Sequence, residues 1–245
     1  MTLEPWQWAL AIVGALAIGL AKTGISGLGM LAVVIFANLL PARQASGFVL
    51  PMLVAADVVA VLSYRRHAQW RYLWKLFPWT ALGVVCGYFA LGRIDDRQAK
   101  VLIGIIVLAL LAVHLARRRR PAAEDQADHG WWYAPVIGVL AGFTTLVANA
   151  AGPLMVIYLL SMRLPKLEYM GTGAYYFMLM NLFKMPFMMN LGLIDAQSFK
   201  GNLVLLPAVF VGALAGRVIL KRINQKLFEN LALGLSAAAG VKLLF

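Results

Sequence analysis

Three charged residues lie inside stretches that are otherwise apolar: Lys22, Asp57 and Lys184. A charge in that setting needs a partner, a wet cavity or a ligand, so each is a candidate for chemistry. Lys22 opens the run Lys22-Thr-Gly-Ile-Ser-Gly-Leu-Gly29, and a second run of small and polar residues reads Leu146-Val-Ala-Asn-Ala-Ala-Gly-Pro153. Both runs suit an anion: a cation beside them, hydroxyl and amide donors on Thr23, Ser26, Thr144, Thr145 and Asn149, and glycines that let backbone N–H groups approach a ligand. Two readings of Lys22 stay open, an anion ligand or a structural lysine that reaches to a membrane interface or pairs with Asp57. For the hydroxyls the competing reading is helix packing. Asp57 can be a proton carrier, the partner of Lys22 or Lys184, or a cation ligand. Lys184, in Asn181-Leu-Phe-Lys-Met-Pro186, offers a second positive charge or the partner of Asp57.

Other chemistries lack their parts. His67, His114 and His129 are scattered, Cys86 stands alone in an apolar run, and no nucleophile-base pair or phosphate-cradling loop is present. No enzyme, cofactor or metal is expected. The group Met178, Met180, Met185, Met188 and Met189 reads as adaptable packing, because thioethers without Cys or His are a weak metal signal.

The elements that must position these residues follow from composition. The 245 residues are 62% hydrophobic and 13% charged, with a mean hydropathy of +0.79. That is a multi-pass membrane protein with little room for a soluble domain. The net charge of +12 belongs to loops and lipid headgroups rather than to nucleic acid. Before the first apolar stretch stands Glu4 with no basic residue, which predicts a retained first helix.

Ten apolar segments are expected, at 6–21, 28–40, 45–63, 74–92, 99–116, 131–146, 153–162, 169–189, 201–220 and 227–245. The second member of each pair 6–21/28–40 and 131–146/153–162 reaches only about 15 to 20 Å, too short to span. Each pair therefore reads as a broken helical hairpin that bends within the membrane.

The chain also resembles itself. At an offset of 124, Gly14 meets Gly138, Leu40-Pro41 meets Leu164-Pro165, Gly47 meets Gly171 and Asp57 meets Asn181. At an offset of 129, Pro78 meets Pro207, Gly83 meets Gly212, Gly87 meets Gly216 and Ile94 meets Ile223. The expected division is a first repeat at 1–116, a polar cytoplasmic linker at 117–130 and a second repeat at 131–245. Five segments per repeat is an odd number, so the repeats are expected to be inverted. Charge agrees: fourteen basic residues fall on one side (Arg65, Arg66, Arg71, Lys75, Arg117 to Arg120, Arg163, Lys166, Arg217, Lys221, Arg222, Lys226), six on the other (Arg43, Arg93, Arg97, Lys100, Lys200, Lys242). The richer side is cytoplasmic, and Arg117 to Arg120 fix it there.

The fold class is thus an all-α polytopic membrane protein of two inverted five-segment repeats, each opening with a broken or re-entrant hairpin. This is the plan of a secondary transporter, with the site where the breaks meet near the midplane. Expected substrate contacts are Lys22, Thr23, Gly24, Ser26, Gly27, Thr145, Asn149 and Gly152; Asp57, Asn181 and Lys184 form the coupling or ion-pair set. Two alternatives are a cation or proton exchanger centred on Asp57 and a non-transporting membrane scaffold. Expected partners are a small anion and membrane lipids, with no nucleic acid; a homodimer is compatible with the pattern.

Gly24-Ile-Ser-Gly-Leu-Gly29, Ala56-Asp-Val-Val-Ala-Val-Leu-Ser-Tyr-Arg-Arg-His-Ala-Gln-Trp70, Pro78 with Gly83 and Gly87, Ala148-Asn-Ala-Ala-Gly-Pro153 and Leu164-Pro-Lys-Leu-Glu-Tyr-Met-Gly-Thr-Gly-Ala174 together resemble the sulfite exporter TauE/SafE family, also described as toluene sulfonate uptake permeases. The resemblance runs through nearly the whole chain. It implies a bacterial inner-membrane permease for small sulfur-containing anions such as sulfite or sulfonates, driven by an ion gradient such as that of protons.

Overall fold

The computed structural model describes residues 4–40, 42–91, 96–118 and 131–244. Pro41, Arg93, Ile94, Arg119, Arg120, His129 and most of the expected linker at 117–130 lie outside the described residues. The described chain forms ten α-helices: α1 (Pro5–Thr23), α2 (Gly29–Leu39), α3 (Ala42–Tyr64), α4 (Trp70–Ala90), α5 (Asp96–Arg118), α6 (Tyr133–Ala148), α7 (Gly152–Ser161), α8 (Lys166–Asn190), α9 (Ala196–Arg222) and α10 (Gln225–Leu244). A single 3₁₀ turn, Arg65–His67, follows α3.

Both expected hairpins are present. Gly14 packs on Phe36 and Gly29 on Ala21, so α2 folds back along α1. Across the second hairpin the Tyr133 hydroxyl donates to Ser161 Oγ at 3.0 Å. The breaks fall at 24–28, where Gly27 takes φ +101°, and at 149–151, where Asn149 takes φ +52°. α7 is buried from Pro153 through Leu160. A helix apolar on every side belongs in a core, and at ten residues it covers about 15 Å, half a bilayer.

Glycine sets the closest helix pairs. A β-carbon at Gly83 in α4 would strike the backbone of Val139 in α6, and one at Gly212 in α9 would strike that of Leu16 in α1. Removing Cβ lets backbones approach, and the helices associate through van der Waals contact where lipid offers no hydrophobic drive. Gly87 lies beside Leu146, and Gly216 beside Leu20 and Gly24, so α4 runs parallel to α6 and α9 parallel to α1. Between these pairs α3 crosses α8 antiparallel, with Gly47 against Leu193, Asp57 against Asn181 and Tyr64 against Gly171. α5 and α10 pack together where Gly240 meets Val107 and Leu108.

One end of the bundle gathers the basic connections. Lys166 Nζ donates to the carbonyls of Leu220, at 3.0 Å, and Ile223, closing the C-terminus of α9. Gln69 Nε2 donates to Glu168 Oε2 at 2.9 Å, and its backbone N–H donates to Thr172 Oγ1 at 3.0 Å. Exposed Trp70, Trp74, Trp131 and Trp132 stand at the starts of the parallel helices α4 and α6, like the aromatic belt of a membrane interface. At the opposite end, Asp195 caps α9 by accepting from the Ser198 N–H at 2.6 Å.

The outer surface is apolar: Leu62, Phe89, Ile105, Val204, Val211 and Leu214 are all exposed. Such a surface suits lipid and not water. Pro5–Thr23, Gln44–His67 and Ser198–Arg222 are each long and apolar enough to cross a bilayer.

Candidate anion site

The two breaks and the α3–α8 crossing line a partly open cavity of about 90 Å³. Lys22 reaches it from the last turn of α1, Ser26 and Gly27 from the first break, Thr145 from the last turn of α6, Asn149 from the second break and Gly152 from the start of α7. Phe177, Asn181 and Lys184 line it from α8 at i, i+4 and i+7 spacing, one face of that helix. Ile18, Leu53, Val156 and Leu159 supply apolar wall.

The charges divide unequally. Lys22 Nζ lies 2.8 Å from Asp57 Oδ1 and 4.0 Å from the centroid of the Phe177 ring, so its charge meets a carboxylate and an aromatic face. Asp57 is fully buried behind the cavity wall, and its Oδ2 accepts from Asn181 Nδ2 at 2.5 Å. Lys184 is also fully buried and meets only neutral acceptors: the Thr145 carbonyl at 3.2 Å, Thr145 Oγ1 at 3.1 Å, and Asn149 Oδ1. Counted formally, two lysines and one carboxylate leave one positive charge over, on the lysine without a carboxylate. Burying a charge costs several kcal/mol even after relaxation, and an incoming anion offsets that cost.

Thr23 and Gly24 are not on the cavity wall. Thr23 Oγ1 donates to the Ala213 carbonyl at 2.5 Å and to the Gly19 carbonyl at 3.2 Å, and Gly24 rests on Gly216; both serve the α1–α9 contact. Thr144 is likewise turned inward, donating to the Ala141 carbonyl at 3.2 Å. Sequence reasoning missed Ser46, whose carbonyl and Oγ accept from Asn149 Nδ2 at 2.9 and 3.1 Å, and Tyr64, whose hydroxyl donates to the Thr23 carbonyl at 2.6 Å. The 124-residue offset carried a signal for Ser46, which it pairs with Met170, where Ser26 Oγ contacts the thioether at 3.9 Å. Phe177 was legible from its spacing to Asn181 and Lys184.

Among the described residues no cluster of three or more His, Cys, Asp or Glu could hold a metal ion. The Met178, Met180, Met185, Met188 and Met189 side chains belong to α8, with Met180 and Met188 in the core.

The chain is 28% identical over 180 residues, 73% of either chain, to a protein of Comamonas testosteroni described as a probable inner membrane transporter protein, TsaS. No solved structure matches. The family model described as sulfite exporter TauE/SafE matches residues 10–243, and the chain belongs to that family of membrane transporters.

Proposed function

We propose that the protein is a secondary transporter of small organic or inorganic sulfur oxyanions, residing in a bacterial inner membrane and coupled to the proton gradient. The observation that carries the reading is Lys184: a fully buried lysine on a cavity wall whose amine meets only neutral acceptors. An anion there would pair with that lysine in a site sheltered from water, where charge attraction is stronger than in bulk solvent. The start of α7 at Gly152 and Pro153 borders the same cavity and adds the positive end of a helix dipole.

Apolar wall occupies much of the cavity, which favours a sulfonate with a hydrocarbon body over bare sulfite; Phe177 and Leu159 would receive that body. Asp57 supplies the coupling. A proton on its carboxylate cancels its hold on Lys22 and frees that ammonium for the anion, so proton and anion enter together. Asn181 Nδ2 keeps the carboxyl placed in either state.

Two inverted repeats, 1–116 and 131–245 with the linker at 117–130 between them, supply the alternating access this requires. The packing supports them. α3 and α8, equivalent at the 124-residue offset, run antiparallel, and Asp57 bonds its own equivalent Asn181, as residues on a pseudo-twofold axis would.

Uptake of radiolabelled 4-toluenesulfonate and sulfite into proteoliposomes under an imposed inward proton gradient tests the reading. Saturable uptake that collapses with the gradient is expected, with the sulfonate competing better than sulfite. Flux of neither anion above empty vesicles removes the anion reading, and cation-dependent proton flux lost in Asp57→Asn would install the exchanger in its place.

A further inference from the structure

Lys184 has three N–H donors, and all three are taken: two by the carbonyl and hydroxyl of Thr145 and one by Asn149 Oδ1. An anion that binds this ammonium must displace one of them. Thr145 is held in the last turn of α6, where its carbonyl also accepts from the Asn149 N–H at 3.0 Å. Asn149 is the first residue beyond that helix, in the three-residue break.

The remaining atoms of the Asn149 side chain are equally engaged. Its amide nitrogen has two acceptors on Ser46, the carbonyl and Oγ, in the first turns of α3. The side chain is thus held by its nitrogen on Ser46 and by its oxygen on Lys184. We propose that Asn149 is a positioning residue and not an anion ligand: it occupies the anion's place on Lys184 in the empty carrier and ties that state to α3 through Ser46. When the anion arrives, Oδ1 is released from the ammonium and the Asn149 side chain keeps only its bonds to Ser46. The empty site is thus satisfied internally, and occupancy is registered at the joint between the second break and α3.

The first break has no matching device. Lys22 takes its carboxylate from Asp57 on a continuous helix, and Ser26 in that break contacts the thioether of Met170. Competition for a buried cation by a side chain of the break is confined, among the described residues, to the second hairpin.

The inference rests on Lys184 as the anion's charge partner, and the experiment separates the two. Binding of 4-toluenesulfonate and of sulfite to the purified full-length protein in detergent is measured by calorimetry for wild type, Asn149→Gly and Asn149→Asp, with melting temperatures recorded alongside. Glycine tolerates the left-handed backbone at this position and removes the competitor; Kd is expected to fall about tenfold. Aspartate keeps the shape and becomes a fixed counter-charge for Lys184; Kd is expected to rise more than tenfold. A merely structural role weakens both variants, and a direct ligand role weakens the glycine variant. Weaker or unchanged binding by Asn149→Gly overturns the proposal. Should that variant fail to fold, unchanged or tighter binding by Asn149→Asp overturns it. Saturable binding of neither anion by wild type removes the Lys184 reading and this inference together.

Discussion

Lys22 and Lys184 share a cavity, yet their electrostatic situations are opposite. Lys22 is already neutralised by Asp57, so removing its charge strands a buried carboxylate, whereas removing Lys184 strands nothing of opposite sign. Lys184→Met is therefore expected to abolish binding of 4-toluenesulfonate, with Kd up a hundredfold or more, while the melting temperature of the empty protein holds or rises. A fall in melting temperature with binding intact would make Lys184 structural. Asp57→Asn frees Lys22 permanently: anion binding is expected to persist or tighten, and uptake to stop responding to an imposed pH gradient. Proteoliposome uptake at matched and opposed pH reads this directly, and gradient-driven accumulation by Asp57→Asn would remove Asp57 from the coupling step. The sequence carried the identities of these residues, and the face formed by Asn181 and Lys184, because periodicity within one helix is local. It did not carry the choice of partner. Asp57 bonds Lys22 rather than Lys184 because of how α1 and α8 approach α3, and that is set by contacts between helices far apart in sequence.

At the scale of elements, the breaks were legible because small residues interrupt two apolar runs too short to span, and the helices stop at Thr23 and Ala148. Less legible was the depth of each short helix. α2 and α7 look alike as apolar segments, yet Leu31 of α2 is 48% exposed whereas α7 is enclosed from Pro153 to Leu160. Burial depends on which neighbours close around a helix, and α7 has α10 and α5 against it. The glycine contacts that hold the bundle give a prediction at this scale. Gly212 sits where α9 touches the α1 backbone at Leu16, so Gly212→Leu must push the two helices apart. A cost of about 1 to 3 kcal/mol, the usual range for overpacking, is expected. Gly234, which has open space at its β-carbon position, is the control: Gly234→Ala is expected to be neutral or slightly stabilising. Thermal unfolding in one detergent compares them, and equal melting temperatures for both variants would contradict the close-approach argument.

For the whole molecule, the decisive property is the relation between its halves. The α4–α6 and α1–α9 contacts repeat one pattern: Gly83 on Val139 and Gly212 on Leu16, Gly142 on Thr80 and Gly19 on Val209. With 1–116 and 131–245 as the proposed inverted repeats, each of these glycine contacts has a counterpart in the other half. A twofold axis relating the proposed repeats would pass near the Asp57–Asn181 bond, where a carboxylate stands against an amide. Basic loops at one end and the Leu193 turn against Gly47 at the other supply a physical test of direction. Arg66, after α3, and Leu191, after α8, follow the C-terminal ends of the two antiparallel helices and are both accessible. In a Cys86→Ser background, single cysteines at these positions are expected to react with a membrane-impermeant maleimide from opposite faces of the membrane: Leu191→Cys in intact cells, Arg66→Cys only in inverted vesicles. Labelling of both from one face would place the two exits on the same side. The halves would then be parallel copies, and no exchange of equivalent conformations about Asp57 could carry a bound anion from one side to the other.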